Sequence, residues 1–288
     1  MGKFFLKSFL TVLLLAISIV IFLSYFGVET DKFDQLIKSK SNEINKYIKL
    51  DFKKTKIHLN PTELNLVVKL QDPKIIVKSN QIILSRLDLF LTLRSFFTSD
   101  FLLKRSEIAF KNNDIKDFTK ITNIFLPKFI NKKLKKIFHR GILEGEFIIP
   151  FEFDGTISND YSFSGKISDA SINLTNNLSI DNLITKINHV RTDNGDVFEV
   201  VIQSGFIKDI ELSESIINLE RNKDGILTKS LLRTKGKIDF VQISQLSKIL
   251  NLKISDFKNI NSSLDLNTNI NFDLSKRFKV KNLNYKTE

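Results

Sequence analysis

At 288 residues, with 42% hydrophobic and 26% charged side chains, the chain is long enough for one large or two small domains and too apolar for a disordered tail. It has no cysteine, which excludes a disulfide framework, a thiolate metal site and a thiol nucleophile. A net charge of +12 would attract polyanions, but the basic residues are spread along most of a chain that is also rich in Asn, Ile and Phe, so the charge reads as general composition rather than a nucleic-acid site.

The first element runs from Ser8 to Val28 without a charged residue. At about 1.5 Å per residue this is roughly 31 Å of helix, the thickness of a bilayer core. Ala16-Ile17-Ser18 offers the small-x-small pattern of a signal-peptide cleavage site. The apolar run continues past it through Phe26, so the segment is read as an uncleaved transmembrane anchor. Lys3 and Lys7 on one side stand against Lys32, Lys38 and Lys40 on the other, so the positive-inside rule does not fix the orientation. A short stub before a long domain fits export of the bulk.

From Thr30 to Leu50, Phe33, Leu36, Ile37, Ile44, Tyr47 and Ile48 recur at mostly three- and four-residue spacings, which predicts an amphipathic helix leaving the membrane. The period then falls to two. "FKKTKIHL", "ELNLVVKL", "KIIVKS", "QIILSRLDLFLTL" and "LLKRSEIAF" read as consecutive strands separated by turn signals, with one helical turn at "RSFFTSD". Helical spacing returns over Asp117 to Gly141. There Lys132, Lys133, Lys135, Lys136 and Arg140 form the one dense basic cluster, a helix face that either meets anionic lipid head groups or is merely solvated.

From Gly145 onward strands dominate. "GEFIIPFEF" sets Phe147, Ile149, Phe151 and Phe153 on one face, with Pro150 marking an edge or a bulge. The following strands, with Phe163, Ile167 and Phe206 on them, are joined by short turns and predict a meander, and "VQISQLSKIL" predicts a last helical turn or two. The nonapeptides "SGKISDASI" (164–172) and "SGFIKDIEL" (204–212) share Ser, Gly, Ile and Asp in register, and "KGKIDFVQI" (235–243) is a fainter third copy. They predict repeated strands rather than a site. Their apolar residues lie five apart, which requires a bulge if both are to face the same way, with Asp169 and Asp209 at the bend.

The anchor, the amphipathic helix, the stretch "LVVKLQDPKIIVKSNQIILSRLDLFLTLRSFF", a second helix and then "GEFIIPFEFDG" followed by Gly-x-Ile strands together resemble the N-terminal region of the AsmA-like superfamily, the inner-membrane anchored envelope proteins of the AsmA, TamB and YhdP type. The resemblance implies a bacterial inner-membrane, single-pass protein with its bulk in the periplasm. It also implies an apolar β-groove that carries phospholipid toward the outer membrane during envelope biogenesis, with an outer-membrane or envelope protein as partner. Members are commonly much longer, whereas this chain stops inside the alternating pattern of "FKVKNLNYKTE".

The expected fold class is thus mainly β (α+β): an N-terminal transmembrane helix, then a long, curved, mostly antiparallel β-sheet forming an apolar groove, with a few amphipathic helices. Stub and anchor occupy residues 1–29, the base of the rod 30–144 and the repeated-strand groove 145–288. Lipid-groove candidates are Phe147, Ile149, Phe151, Phe153, Phe163, Ile167 and Phe206, whose apolar surface needs a cover and finds too few helices to supply it. His58, His139 and His189 are isolated in sequence, and no Gly-x-Ser-x-Gly, P-loop or Gly-x-Gly-x-x-Gly pattern is present, so neither metal, cofactor, small-molecule substrate nor enzymatic activity is expected. Two competing classes remain beside lipid carriage: an assembly factor using the same sheet as an ordinary two-layer core, and a polyanion binder, which the scarcity of stacking aromatics beside arginine disfavours.

Overall fold

A computed structural model describes residues 2–44, 48–77, 80–98, 102–122, 136–175, 178–192, 195–221, 225–250, 261–275 and 280–288. The fold is mainly β, with an apolar N-terminal helix and few others.

Helix α1 (Gly2–Tyr25) contains a stretch, Phe4–Tyr25, that is long and apolar enough to cross a membrane. Three of its hydroxyls are turned back on the helix. Thr11 donates to the Lys7 carbonyl (2.9 Å), Ser18 to Leu14 (2.9 Å) and Ser24 to Val20 (2.7 Å), so none of them is left for lipid to satisfy. The helix stops at Gly27, whose φ of +65° and whose missing Cβ, which would lie 2.6 Å from the Ile57 carbonyl, both require glycine.

The chain divides into two compact units. The first comprises Met1–Phe110 and Phe147–Ser158. It contains β1 (Val28–Thr30), α2 (Asp34–Ile44), β2 (Ile48–Asp51), β3 (Lys54–Asn60), β4 (Asn65–Gln71), β5 (Lys74–Val77), β6 (Asn80–Thr92), α3 (Arg94–Phe97) and most of β7 (Leu103–Asp114). Strands β1, β3, β4, β6 and β7 pair antiparallel in that order, and β2–β5 branches from the other end of β6. Its core is Val68, Leu91, Ile57, Leu66 and Phe90, with Phe33 at the entrance to α2 and Ile37 within it. The amphipathic helix ends at Ile44 instead of reaching Leu50. There the chain pairs with β5, burying Leu50 while Lys49 stays exposed, and ladder hydrogen bonds replace the helical ones. The single turn expected at "RSFFTSD" is α3.

The second unit comprises Lys111–Glu146 and Asn159–Glu288. After α4 (Ile115–Thr122), most of β8 (Phe138–Pro150), β9 (Ser162–Thr175), β10 (Leu178–Thr192), β11 (Gly195–Ile207), β12 (Ile210–Arg221), β13 (Gly225–Asp239), β14 (Asn261–Ser275) and β15 (Val280–Thr287) follow as an open antiparallel meander. Helix α5 (Phe240–Leu250) interrupts it where expected, packs on β13 and opens with a reciprocal cap. Asp239 Oδ1 accepts from the Gln242 amide (2.7 Å) and Gln242 Oε1 from the Asp239 amide (2.9 Å).

The three nonapeptides are not equivalent strands. The first lies within β9. The second is a hairpin, with β11 ending at Ile207, Lys208 at φ +54° in the turn and β12 starting at Ile210. The third runs from β13 into α5. Each of the first two copies has a left-handed residue shortly after its Ile, Asp169 (φ +50°) two residues on in one and Lys208 one residue on in the next, and it serves a bulge once and a turn once.

Asp169 belongs to a line of irregularities crossing the meander. Asn182 on β10 (φ +51°) and Glu214 on β12 (φ +44°) also adopt left-handed backbone, and the register shifts beside each of them, β11 carrying its own extra residue near Gln203. Because strand side chains alternate strictly, each inserted residue resets which side the next one faces.

Candidate functional site

Directly paired residues of neighbouring strands share a face. One row across the second unit runs Phe163, His189, Phe198, Leu219, Thr228 and Phe272; the next runs Gly165, Ile187, Val200, Ile217, Ser230 and Ile270. Beyond the bulges the same side continues as Ala170–Leu183 on β9–β10 and Gly205, Leu212, Thr234 and Leu266 on β11–β14. Of the rows facing the other way, the one through Ser164, Asn188, Glu199, Asn218, Lys229 and Asn271 is polar in every strand, while the rows flanking it mix Lys166, Lys186 and Glu220 with Val190, Val197, Val201 and Ile216. One face is therefore the more apolar over six strands, and the other carries most of the charged and amide side chains.

The apolar face is only partly covered. Phe163, Ile187, Phe198, Val200, Ile217, Leu219, Ile270 and Phe272 are half-buried, whereas Ala170, Leu183 and Leu212 past the bulges are buried. Three of its hydroxyls turn to backbone, while Thr228 Oγ1 is buried without a hydrogen-bond partner among the described residues. Thr185 donates to the Val201 carbonyl (3.0 Å), Ser230 to the Ile270 carbonyl (3.0 Å), and Ser215 Oγ accepts from the Arg233 amide (2.8 Å). Polar atoms spent in this way leave a surface suited to hydrocarbon.

At the end of the face lies a charged rim that sequence reasoning missed. Arg191 and Arg221 are the cross-strand partners of Asp196, and their guanidinium groups lie 3.7 and 3.8 Å from its two carboxylate oxygens. Arg191 also donates to the Tyr161 hydroxyl (3.0 Å), a contact that raises its already high pKa. His189 is not an isolated strand histidine: it is buried, 3.2 Å from Asp196 Oδ1, and stacked 4.3 Å from the Phe198 ring. The signal was the sequence Asp193-Asn194-Gly195 between two alternating runs, a hairpin signature; with Thr192 paired to Gly195, Arg191 stands opposite Asp196 and His189 opposite Phe198.

Of the groove candidates, Phe163 and Ile167 lie on this face. Phe206 does not. The Cβ position of its neighbour Gly205 points at Ile180 and Leu183, so Phe206, opposite Asp181 and Glu211, is turned to the polar side and is 39% exposed. The remaining candidates belong to the first unit. Phe147 packs 6.1 Å from Phe110, and Ile149 is half-buried near the end of β8. Phe151 forms a single bridge with Ile157. Phe153 is 95% exposed, because the strand stops at Pro150 and Asp154 closes a tight loop by accepting from the Thr156 amide (2.9 Å) and hydroxyl (2.7 Å). Phe151 and Phe153 line a cleft of about 640 Å³ together with Lys40, Thr92, Leu103 and Lys104.

Lys132, Lys133 and Lys135 lie outside the described residues, and Lys136 is exposed. Arg140 is on strand β8 rather than a helix face, where its Nη2 donates to Asn182 Oδ1 (3.0 Å) across the bulge. Beside it Asp181 accepts from Ser171 (2.5 Å) and Ser179 (2.6 Å); these bonds hold its carboxyl below the ordinary 3.8.

Comparison of the chain with protein-family models, with curated proteins and with solved structures finds no match.

Proposed function

We propose that this is a membrane-anchored, AsmA-like, non-enzymatic carrier that holds acyl chains of membrane phospholipids on the apolar face of its second unit. On this reading α1 fixes it in a bacterial inner membrane, the strands stand in the periplasm and lipid moves toward the outer membrane. The observation that carries the proposal is the pair of rows from Phe163 to Phe272 and from Gly165 to Ile270, mostly half-buried on one side of a sheet whose other side is more polar. A continuous apolar surface of this kind calls for a partner, and hydrocarbon matches it without demanding hydrogen bonds.

The resemblance in "LVVKLQDPKIIVKSNQIILSRLDLFLTLRSFF" supports the assignment to the envelope. An assembly factor would use the same face as a packed core and hold no lipid. Mass spectrometry of the full chain, purified in a lipid-free neutral detergent, separates the two. Carriage requires phospholipid at near-stoichiometric amounts, well above that retained by a single-span control protein; lipid at the control level contradicts it.

A further inference from the structure

We propose that Arg191 and Arg221 form a head-group site, so that an amphiphile with a phosphate head binds with that head at the hairpin end of β10–β11 and its tail laid across the neighbouring apolar rows. The inference rests on the acyl-carrier reading above and adds to it a direction and a selectivity.

Charge complementarity argues for it. From one same-face row to the next, two residues along each strand, the face changes from His189, Phe198 and Leu219 to Arg191, Asp196 and Arg221. Two guanidinium groups against one carboxylate leave a net positive charge at this rim. Asp196 sits between the two arginines at 3.7 and 3.8 Å, outside tight charge-assisted distance, so it sets their spacing while leaving donors of both forks uncommitted. The Arg221 side chain is 67% exposed and the Arg191 side chain 41%, so both are open to a ligand, whereas Asp196 is buried. Tyr161 receives one Arg191 donor and lies 5.4 Å under its guanidinium, which holds that fork in place. A phosphate, with three or more oxygens, can bridge two such forks; a single hydroxyl cannot. The next residues inward are Phe163, Phe198 and Leu219, so a head at the rim puts its first methylenes directly on apolar side chains.

The test uses the full chain in neutral detergent and three probes of equal chain length: hexadecyl phosphate, hexadecanoate and hexadecanol, each competing with a fluorescent fatty alcohol. The wild type is expected to bind hexadecyl phosphate about tenfold or more tightly than hexadecanol, in line with the strength of charge-assisted hydrogen bonds, and more tightly than hexadecanoate. Arg221→Gln, which removes only a long contact to Asp196, should cut that preference several-fold, and Arg191→Gln with Arg221→Gln should abolish it. Hexadecanol affinity should stay unchanged in both variants, which also reports that the face is intact. A phosphate preference that survives the double substitution, or equal binding of hexadecanoate, overturns the site while leaving acyl binding in place. Failure of all three probes to compete overturns the carrier reading itself.

Discussion

Asp181 is where a single side chain says most about the bulge line. Its carboxylate takes hydrogen bonds from Ser171 and Ser179, each on a residue close to the inserted positions of β9 and β10, and is thereby held below its ordinary pKa of 3.8. A carboxyl with a depressed folded-state pKa stabilises the fold while ionised. Its contribution is complete above the unfolded value and is lost as pH falls through the lower folded value. Asp181→Asn keeps one acceptor and loses the charge, and is expected to cost about 1–2 kcal/mol at pH 7. In urea unfolding followed from pH 7 to pH 3, the gap between wild type and variant should narrow below about pH 4, near the unfolded aspartate pKa; a gap that stays constant to pH 3 would contradict the assignment.

At the scale of elements, the inserted residues decide which side of each strand faces hydrocarbon. Deleting Glu214 removes the irregularity in β12, so restored alternation would turn Leu212 and Ile210, both buried, toward the polar side. Two exposed aliphatic side chains predict a loss of at least about 3 kcal/mol. Glu214→Gly keeps the left-handed backbone and gives up only an exposed ion pair with Arg233, so its unfolding midpoint should stay near that of the wild type. Equal stability of the deletion and Glu214→Gly would mean that the bulge does not set the register.

The strands themselves were legible because apolar and polar residues alternate, and the one-turn helix and α5 because the alternation breaks there. The end of α2 was not, since Ile48 and Leu50 fit a helical stripe as well as a strand and the choice depends on β5, reached only through a later part of the chain. Phe206 was expected on the apolar side because it lies on a neighbouring strand of the meander, and strict alternation along that strand would not reveal a change of side. That expectation fails because the extra residues in β10 and β11 arise from the joint register of neighbouring strands, which no single segment encodes. Arg140 read as part of a basic helix because Lys132 to Lys136 precede it, yet it has crossed into a strand that pairs with β9. The Arg191–Asp196–Arg221 rim joins residues from three strands and emerges only once both hairpin registers are known.

For the molecule as a whole, the anchor and the apolar face answer different needs. Helix α1 turns the hydroxyls of Thr11, Ser18 and Ser24 onto its own carbonyls and has its apolar side chains exposed along its length, the condition for standing in lipid. The second unit instead concentrates apolar surface on one side of a sheet, the side to which the proposed acyl chains are assigned. In-cell photo-crosslinking tests that division most directly. A photoreactive amino acid at Ile217 or Val200, on the apolar face, should yield covalent adducts with phospholipid, and the same residue at Glu199 or Lys229, on the polar face, should not. Adducts confined to protein at Ile217 and Val200, or lipid adducts equally frequent at all four positions, would contradict a lipid-bearing face on this sheet.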